Sequence, residues 1–257
     1  MSLTQSTAIT SNGSLNLLAG QFRLGNFNFT LASNTVLGGN AYSGTNMIVT
    51  NGSGQLIKGY AAGVTAPAVY PLGDISGNYT PANFGFSNNS TARNIGIRAV
   101  AATHPDLVSN PVSDYLTRYW AITNSAAGTY AYNLDVTYAA GDLVGSTTGM
   151  IGSLWYNPSA TFWAPKATSL SGTTLSFVGT LNNLTAPIGN SSANATDFTG
   201  RVGFVSYYRS IASGNWTDVS AAPANIWEVS NDIAFPLAFT TEAIAPPDNS
   251  NSAKIFI

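Results

Sequence analysis

The stretch YAYNLDVTY, residues 130–138, limits what this chain can fold into: Tyr130, Tyr132, Leu134, Val136 and Tyr138 recur at every second position, with Asn133, Asp135 and Thr137 between them. An extended strand sends such a series to one face and its neighbours to the other, and a helix does not. The same period runs through NIGIRAV, where Ile95 and Ile97 oppose Arg98. It recurs around Trp120 and Ile122 in TRYWAIT, and in TTLSFVG, which pairs Leu175 with Phe177. Clusters of Gly, Pro, Asn and Ser such as NPSATFWAP and NSSANAT separate these runs and read as turns and loops. No long helical pattern with caps occurs, so the fold expected is all-β.

The texture changes along the chain. In SLNLLAGQFRLGNFNFTLASNTVLGG the apolar residues come in very short sets, Leu15/Leu17, Phe22/Leu24 and Phe27/Phe29/Leu31. Strands this short bury no face alone, but stacked as solenoid-like rungs they do; an edge hairpin of a larger sandwich is the alternative. From about Val64 to Ser206 the strands lengthen and are spaced as in an Ig-like β-sandwich. The expected division is a β-solenoid-like segment over 1–63, a β-sandwich module over 64–206, and the start of a following repeat over 207–257.

Charge and cysteine content exclude several functions. Charged residues are 8% of the 257, where about a quarter is usual, so Ser, Thr, Asn and Gly must supply the polar surface. Such neutral surfaces suit chains that live outside the cell. Nine Lys and Arg against eleven Asp and Glu give a net charge of −2 with no basic block, which argues against nucleic acid as a partner. With no cysteine, there is no disulfide framework, thiolate nucleophile or cysteine-ligated metal. No apolar run approaches about 18 residues, so no transmembrane segment is expected. The opening MSLTQSTAITSNG does not read as a signal peptide, so an exported form would be a mature or internal piece.

Candidate chemistry is sparse. Asp74 lies in VYPLGDISGNYTP, after Pro71, which fixes φ, and Gly73, which tolerates unusual backbone angles; Asp74 is expected to accept backbone N–H bonds in a turn. The residues after it, Ile, Ser, Gly and Asn, are not a calcium loop. His104 is the single histidine, so any Ser-His-Asp triad would need it. No G-x-S-x-G elbow accompanies it, and a histidine before Pro105 in a polar loop is expected to face solvent. One His without Cys excludes an imidazole-rich zinc site, and no G-x-x-x-x-G-K-[ST] phosphate loop occurs. Glu228 and Glu242 are both in the tail, and Asp135 and Asp142 flank a strand end as solvated residues would. No catalytic, cofactor-binding or metal-binding residue is assigned.

In SLWYNPSATFWAP, Trp155, Tyr156 and Trp163 surround a turn and are candidate glycan contacts, since indole faces stack on pyranose rings. The structural alternative pairs Trp155 and Trp163 across adjacent strands within the core.

Four stretches, IVTNGSGQLIKGY, AVYPLGDISGNYTPANF, YLTRYWAIT and YNLDVTYAAGD, together resemble the repeating module of very large surface proteins exported by Bacteroidetes-type bacteria through type IX secretion. There a "t-G-x-G-x-L-x-R" strand precedes an "F-P-L/V-G-x…Y-x-P" turn, followed by "R-x-W-x-I" and "v-x-l-x-Y" strands. Here Lys58 stands for the usual Arg and Tyr70 for Phe. YYRSIASGNWTD, IWEVSNDIAF and PPDNSNSAKIFI are similar to the opening of a next repeat. The resemblance implies a non-enzymatic structural or adhesive segment of a secreted or cell-surface protein, with neighbouring repeats and surface glycans as partners. A carbohydrate-binding module of a secreted glycan-active protein is the alternative function.

Overall fold

The computed structural model describes residues 1–9, 13–109, 112–156, 163–165, 168–181, 195–202, 207–210, 227–230, 241–242 and 254–256. Its first part is three stacks of parallel strands. Thr7–Ile9, Phe29–Leu31 and Leu56–Tyr60 form one ladder, Ser14–Leu17 and Val36–Gly39 a second, and Gly20–Arg23, Asn46–Val49 and Leu72–Gly73 a third. The chain visits the ladders in turn. Thr7 lies beside Phe29 and Phe29 beside Leu56, returns of 22 (29 − 7) and 27 (56 − 29) residues. Each strand offers a few apolar residues, and stacking aligns them: Phe22 with Ile48, Ile48 with Leu72, Leu15 with Leu37. Leu24, Leu31, Ile48, Leu56 and Leu72 are thereby removed from water, each burial contributing roughly 1.5–3 kcal/mol.

Asparagines tie the turns of successive levels together. Asn26 Oδ1 accepts the Ser53 N–H, Asn28 Oδ1 that of Gln55, and Asn51 Oδ1 that of Gly25. Buried Asn46 donates to the carbonyls of Leu17, Asn40 and Ala41. These bonds serve loop backbone that has no ladder partner. The glycines of NGSGQL fit the same packing, because a Cβ on Gly52 would lie 2.5 Å from the Gly25 carbonyl oxygen and one on Gly54 2.2 Å from that of Phe27.

The strand Leu56–Tyr60 then serves a second structure. On its other edge it pairs antiparallel with Arg93–Val100, followed by Tyr119–Asn124, Thr196–Arg201, Ile151–Tyr156 and Trp163–Pro165. A facing antiparallel sheet runs Thr168–Ser171, Thr174–Leu181, Tyr130–Thr137, Ala82–Asn89, Ala68–Tyr70. Aromatic rings join the two layers: Phe198 meets Phe177 edge-on at 5.2 Å and Tyr132 at 6.5 Å, and Tyr60 contacts Phe84 and Phe86. The chain is thus predominantly β, in several sheets, as its alternation predicts. Tyr130, Tyr132, Leu134, Val136 and Tyr138 are all buried, and Asn133 is exposed.

The strand Tyr119–Asn124 departs from simple alternation, since all six of its residues are buried. Its inner face carries Trp120 and Ile122; on its outer face the His104 ring packs on Tyr119, Ala195 clusters with Tyr119 and Ala121, and Thr123 bonds Gln55. Beyond residue 206, Tyr207–Ser210 pairs antiparallel with Trp227–Ser230, which also pairs with Thr241–Glu242, and parallel with Lys254–Phe256. Among the described residues no helix is long and apolar enough to cross a membrane.

Candidate functional site

Asp74 sits in a tight turn in which its own carbonyl accepts the Gly77 N–H and its N–H donates to Asn78 O. Its carboxylate is fully engaged. Oδ1 accepts the N–H groups of Ser76 (2.9 Å) and Asn78 (3.2 Å), and Oδ2 accepts Asn78 Nδ2 (2.9 Å) and Arg118 Nη2 (2.6 Å). The turn-acceptor role expected from the sequence is present, and an ion pair is added to it. Burial alone would raise the Asp74 pKa, but the hydrogen bonds from Asn78 and Arg118 and the Arg118 charge outweigh it and hold the carboxyl below its ordinary value.

Arg118 reaches a second acid. Its Nε donates to Asp142 Oδ2 at 2.6 Å and its Nη2 to Oδ1 at 3.2 Å, while Asp142 Oδ2 also accepts the Ala139 N–H. The Arg118 side chain is 1% exposed, so one guanidinium clamps the PLGD turn to the AAGD turn from inside the protein. Asp142, read from the sequence as solvated, is buried instead, because Arg118 draws it inward. A signal for the clamp is present in the sequence: Arg118 shares strand parity with Trp120 and Ile122, so it points to the core and must find a carboxylate there.

His104 is the clearest correction. It is 5% exposed rather than solvent-facing, because Val108 N–H closes the helix Pro105–Ser109 onto its carbonyl and the Tyr119 ring packs edge-on against the imidazole at 5.0 Å. Nδ1 accepts the Asp106 N–H at 3.2 Å, which leaves the proton on Nε2, facing Asp197 Oδ2 at 3.2 Å. Burial raises the Asp197 pKa, partly offset by the hydrogen bond from His104. With both ring nitrogens engaged, this histidine has no position left from which to take a proton from a nucleophile.

A second buried cation, Arg93, donates Nε to Asn89 Oδ1 at 2.7 Å and Nη1 to Ala126 O at 3.0 Å, with its guanidinium 4.4 Å from the Tyr130 ring centre. A polar cleft of about 490 Å³ is lined by Thr50, Gly52, Asp74, Ser76, Arg98 and Val100. Some of its polar groups are engaged within the protein: Thr50 Oγ1 bonds Ala99, and Arg98 Nη1 donates to Gly52 O at 3.2 Å, while the buried Arg98 Nε has no hydrogen-bond partner. Among the described residues no group of three or more His, Cys, Asp or Glu could hold a metal ion.

Trp155, Tyr156 and Trp163 are described only by strand and register, and their side chains lie outside the described residues. Trp155 and Trp163 are register partners on adjacent strands, and Trp155 aligns with Asp197, while Leu154 aligns with the core residue Phe198. No protein-family model matches the chain, and no curated protein or solved structure was found to match it.

Proposed function

We propose that the chain is a non-enzymatic structural or adhesive repeat segment of a large bacterial protein, secreted or held at the cell surface. In this reading residues 1–63 are β-solenoid-like rungs, 64–206 an Ig-like β-sandwich and 207–257 the opening of a following repeat, with neighbouring repeats as partners. The observation that carries it is where the motif residues go. Gly52 and Gly54 permit close stacking, Arg118 and Asp74 form the clamp, and Trp120, Leu134, Val136 and Tyr138 are core. These residues, which make the chain resemble a surface-protein module, thus hold its shape. The returning parallel ladders support the solenoid-like part, and the ring contacts between facing sheets support the sandwich.

The test is a panel of polysaccharide, ester and peptide substrates. No turnover should depend on His104 or Asp74, and activity abolished by His104→Ala in a protein that still melts cooperatively would refute the proposal.

A second reading, a carbohydrate-binding module, draws on the Trp155–Trp163 register pair. Trp155 lies in the row of Asp197 and Ala121, one step off the row of the core residue Phe198. Selective binding on a glycan array that vanishes in Trp155→Ala or Trp163→Ala would favour it.

A further inference from the structure

One buried polar pair is placed as two reactants are. Gln55, at the entry to Leu56–Tyr60, and Thr123, in Tyr119–Asn124, meet across the intervening strand Arg93–Val100. Thr123 Oγ1 donates to Gln55 Oε1 at 3.0 Å, and the two residues are 2% and 0% exposed. Gly96 lies between them. A Cβ there would stand 2.7 Å from both side-chain oxygens, so the middle strand is bare where the pair needs room. A C=O bond is about 1.23 Å, which puts the hydroxyl oxygen within about 4.2 Å of the carboxamide carbon Cδ. The other half of the carboxamide is unsatisfied, because Gln55 Nε2 is buried and has no hydrogen-bond partner. A buried donor without an acceptor is destabilising, and its departure would end that cost. A positive charge is close. Arg98 follows Gly96 on the same face, in the row after the Ile97–Leu56 pair, and its Nη1 donates to Gly52 O, three residues before Gln55, at 3.2 Å. Its Nε, like Gln55 Nε2, is buried without a partner.

We propose that Thr123 and Gln55 join in an ester that the chain forms on itself. Oγ1 attacks Cδ, and the Arg98 charge stabilises the oxyanion that develops on Oε1. The hydroxyl proton passes to Nε2 on the tetrahedral carbon, the Cδ–Nε2 bond breaks, and ammonia leaves. One O–H and one C–N bond are broken and one C–O and one N–H bond are made, so nothing is oxidised or reduced and no co-reactant is consumed. The fold supplies the proximity that two free reactants lack, and escape of ammonia into dilute solution draws the reaction forward. Burial then shields the ester from hydrolysis. The link ties Leu56–Tyr60, the strand that the parallel stack shares with the larger sheet, to Tyr119–Asn124 two strands further in. A chain that acts once on itself turns over no substrate. The inference therefore goes beyond the function proposed above, and it is tested on the purified chain, independent of any cell-surface location.

Mass spectrometry of the folded chain held at neutral pH should give an intact mass below that of the sequence by one ammonia. A tryptic digest should contain residues 24–58 joined to residues 119–166 through Gln55 and Thr123, and mild alkali should part them. Thr123→Val keeps the shape without the hydroxyl and should give two separate peptides, whereas Thr123→Ser keeps the hydroxyl and should give the linked one. The parent and Thr123→Ser carry the test if Thr123→Val loses its far-UV circular dichroism. Arg98→Gln should link roughly tenfold more slowly than the parent. Two separate peptides from the folded parent, a linked peptide that survives Thr123→Val, or a mass deficit confined to one peptide, as ring closure at Asn51–Gly52 would give, would each overturn the inference. An Arg98→Gln chain that links at the parent rate would overturn the part given to Arg98.

Discussion

Replacing Arg118 with alanine should be among the most damaging single changes outside the aromatic core. The substitution leaves Asp74 and Asp142 facing each other's surroundings with no cation between them. Removing one partner of a buried pair commonly costs about 3–5 kcal/mol. Here the lower half of that range applies, about 3 kcal/mol, since Asp74 keeps the Ser76 and Asn78 donors, and the two carboxylate side chains retain 10% and 11% exposure. Arg118→Lys keeps the charge without the fork that reaches both acids, and should recover about half of the loss. Urea unfolding followed by circular dichroism reads this as a midpoint lowered by about 1 M or more at unchanged slope. The Asp74 carboxyl is held below its ordinary value in the fold, so its contribution is complete above the unfolded value of about 4 and is lost as pH falls through the lower folded value. The gap between parent and Arg118→Ala should therefore be constant from neutral pH down to about 4 and should narrow below it. A loss under about 1 kcal/mol, or a gap that persists unchanged in acid, would refute the reasoning.

Other substitutions test the remaining parts. Gly54→Ala places a methyl group against the Phe27 carbonyl of the preceding level and should cost about 2 kcal/mol or more; a neutral effect on the urea midpoint would mean that the levels are not packed that closely. Asp197→Asn removes a buried charge and keeps an acceptor for His104 Nε2–H. The raised Asp197 pKa means that the ionised form costs stability above its folded value and the cost fades as pH falls through it. The variant should thus be no less stable than the parent at neutral pH, with any advantage disappearing in acid. A loss above about 2 kcal/mol at neutral pH would contradict this and show that the ionised carboxylate stabilises the fold. In an alkaline titration followed by phenolate absorbance, Tyr70, raised well above its ordinary value by burial, should titrate after Tyr60 and Tyr79, each pushed up to about 12 by burial, and only with unfolding; ionisation of Tyr70 alongside exposed tyrosines would contradict the packing.

The long alternating runs were legible because each strand from Tyr130 to Val136 has one face in the core and one toward water. Alternation fails in Tyr119–Asn124, where the outer face is covered too, by His104 on Tyr119, Ala195 beside Ala121 and Gln55 on Thr123, all distant in sequence. The short apolar pairs before residue 60 announced short strands, but not their partners. Returns of 22 and 27 residues are unequal, so no fixed repeat marks which pair stacks on which. The clamp shows the same limit. Parity sends Arg118 inward, yet the choice of Asp74 and Asp142, 44 and 24 residues away, is a matter of tertiary geometry. His104 was misread because a polar, proline-containing loop resembles an exposed one until the ring that covers it, Tyr119, is seen in place. The asparagines were read as surface polarity, and several of them are staples between levels.

An antibody raised against residues 64–206 and applied to intact cells of the organism that makes this chain tests the central claim most directly. Labelling of unpermeabilised cells or of the shed extracellular fraction, abolished when intact cells are shaved with protease, is the result expected of a displayed structural segment. Labelling that requires permeabilisation and survives shaving would contradict it.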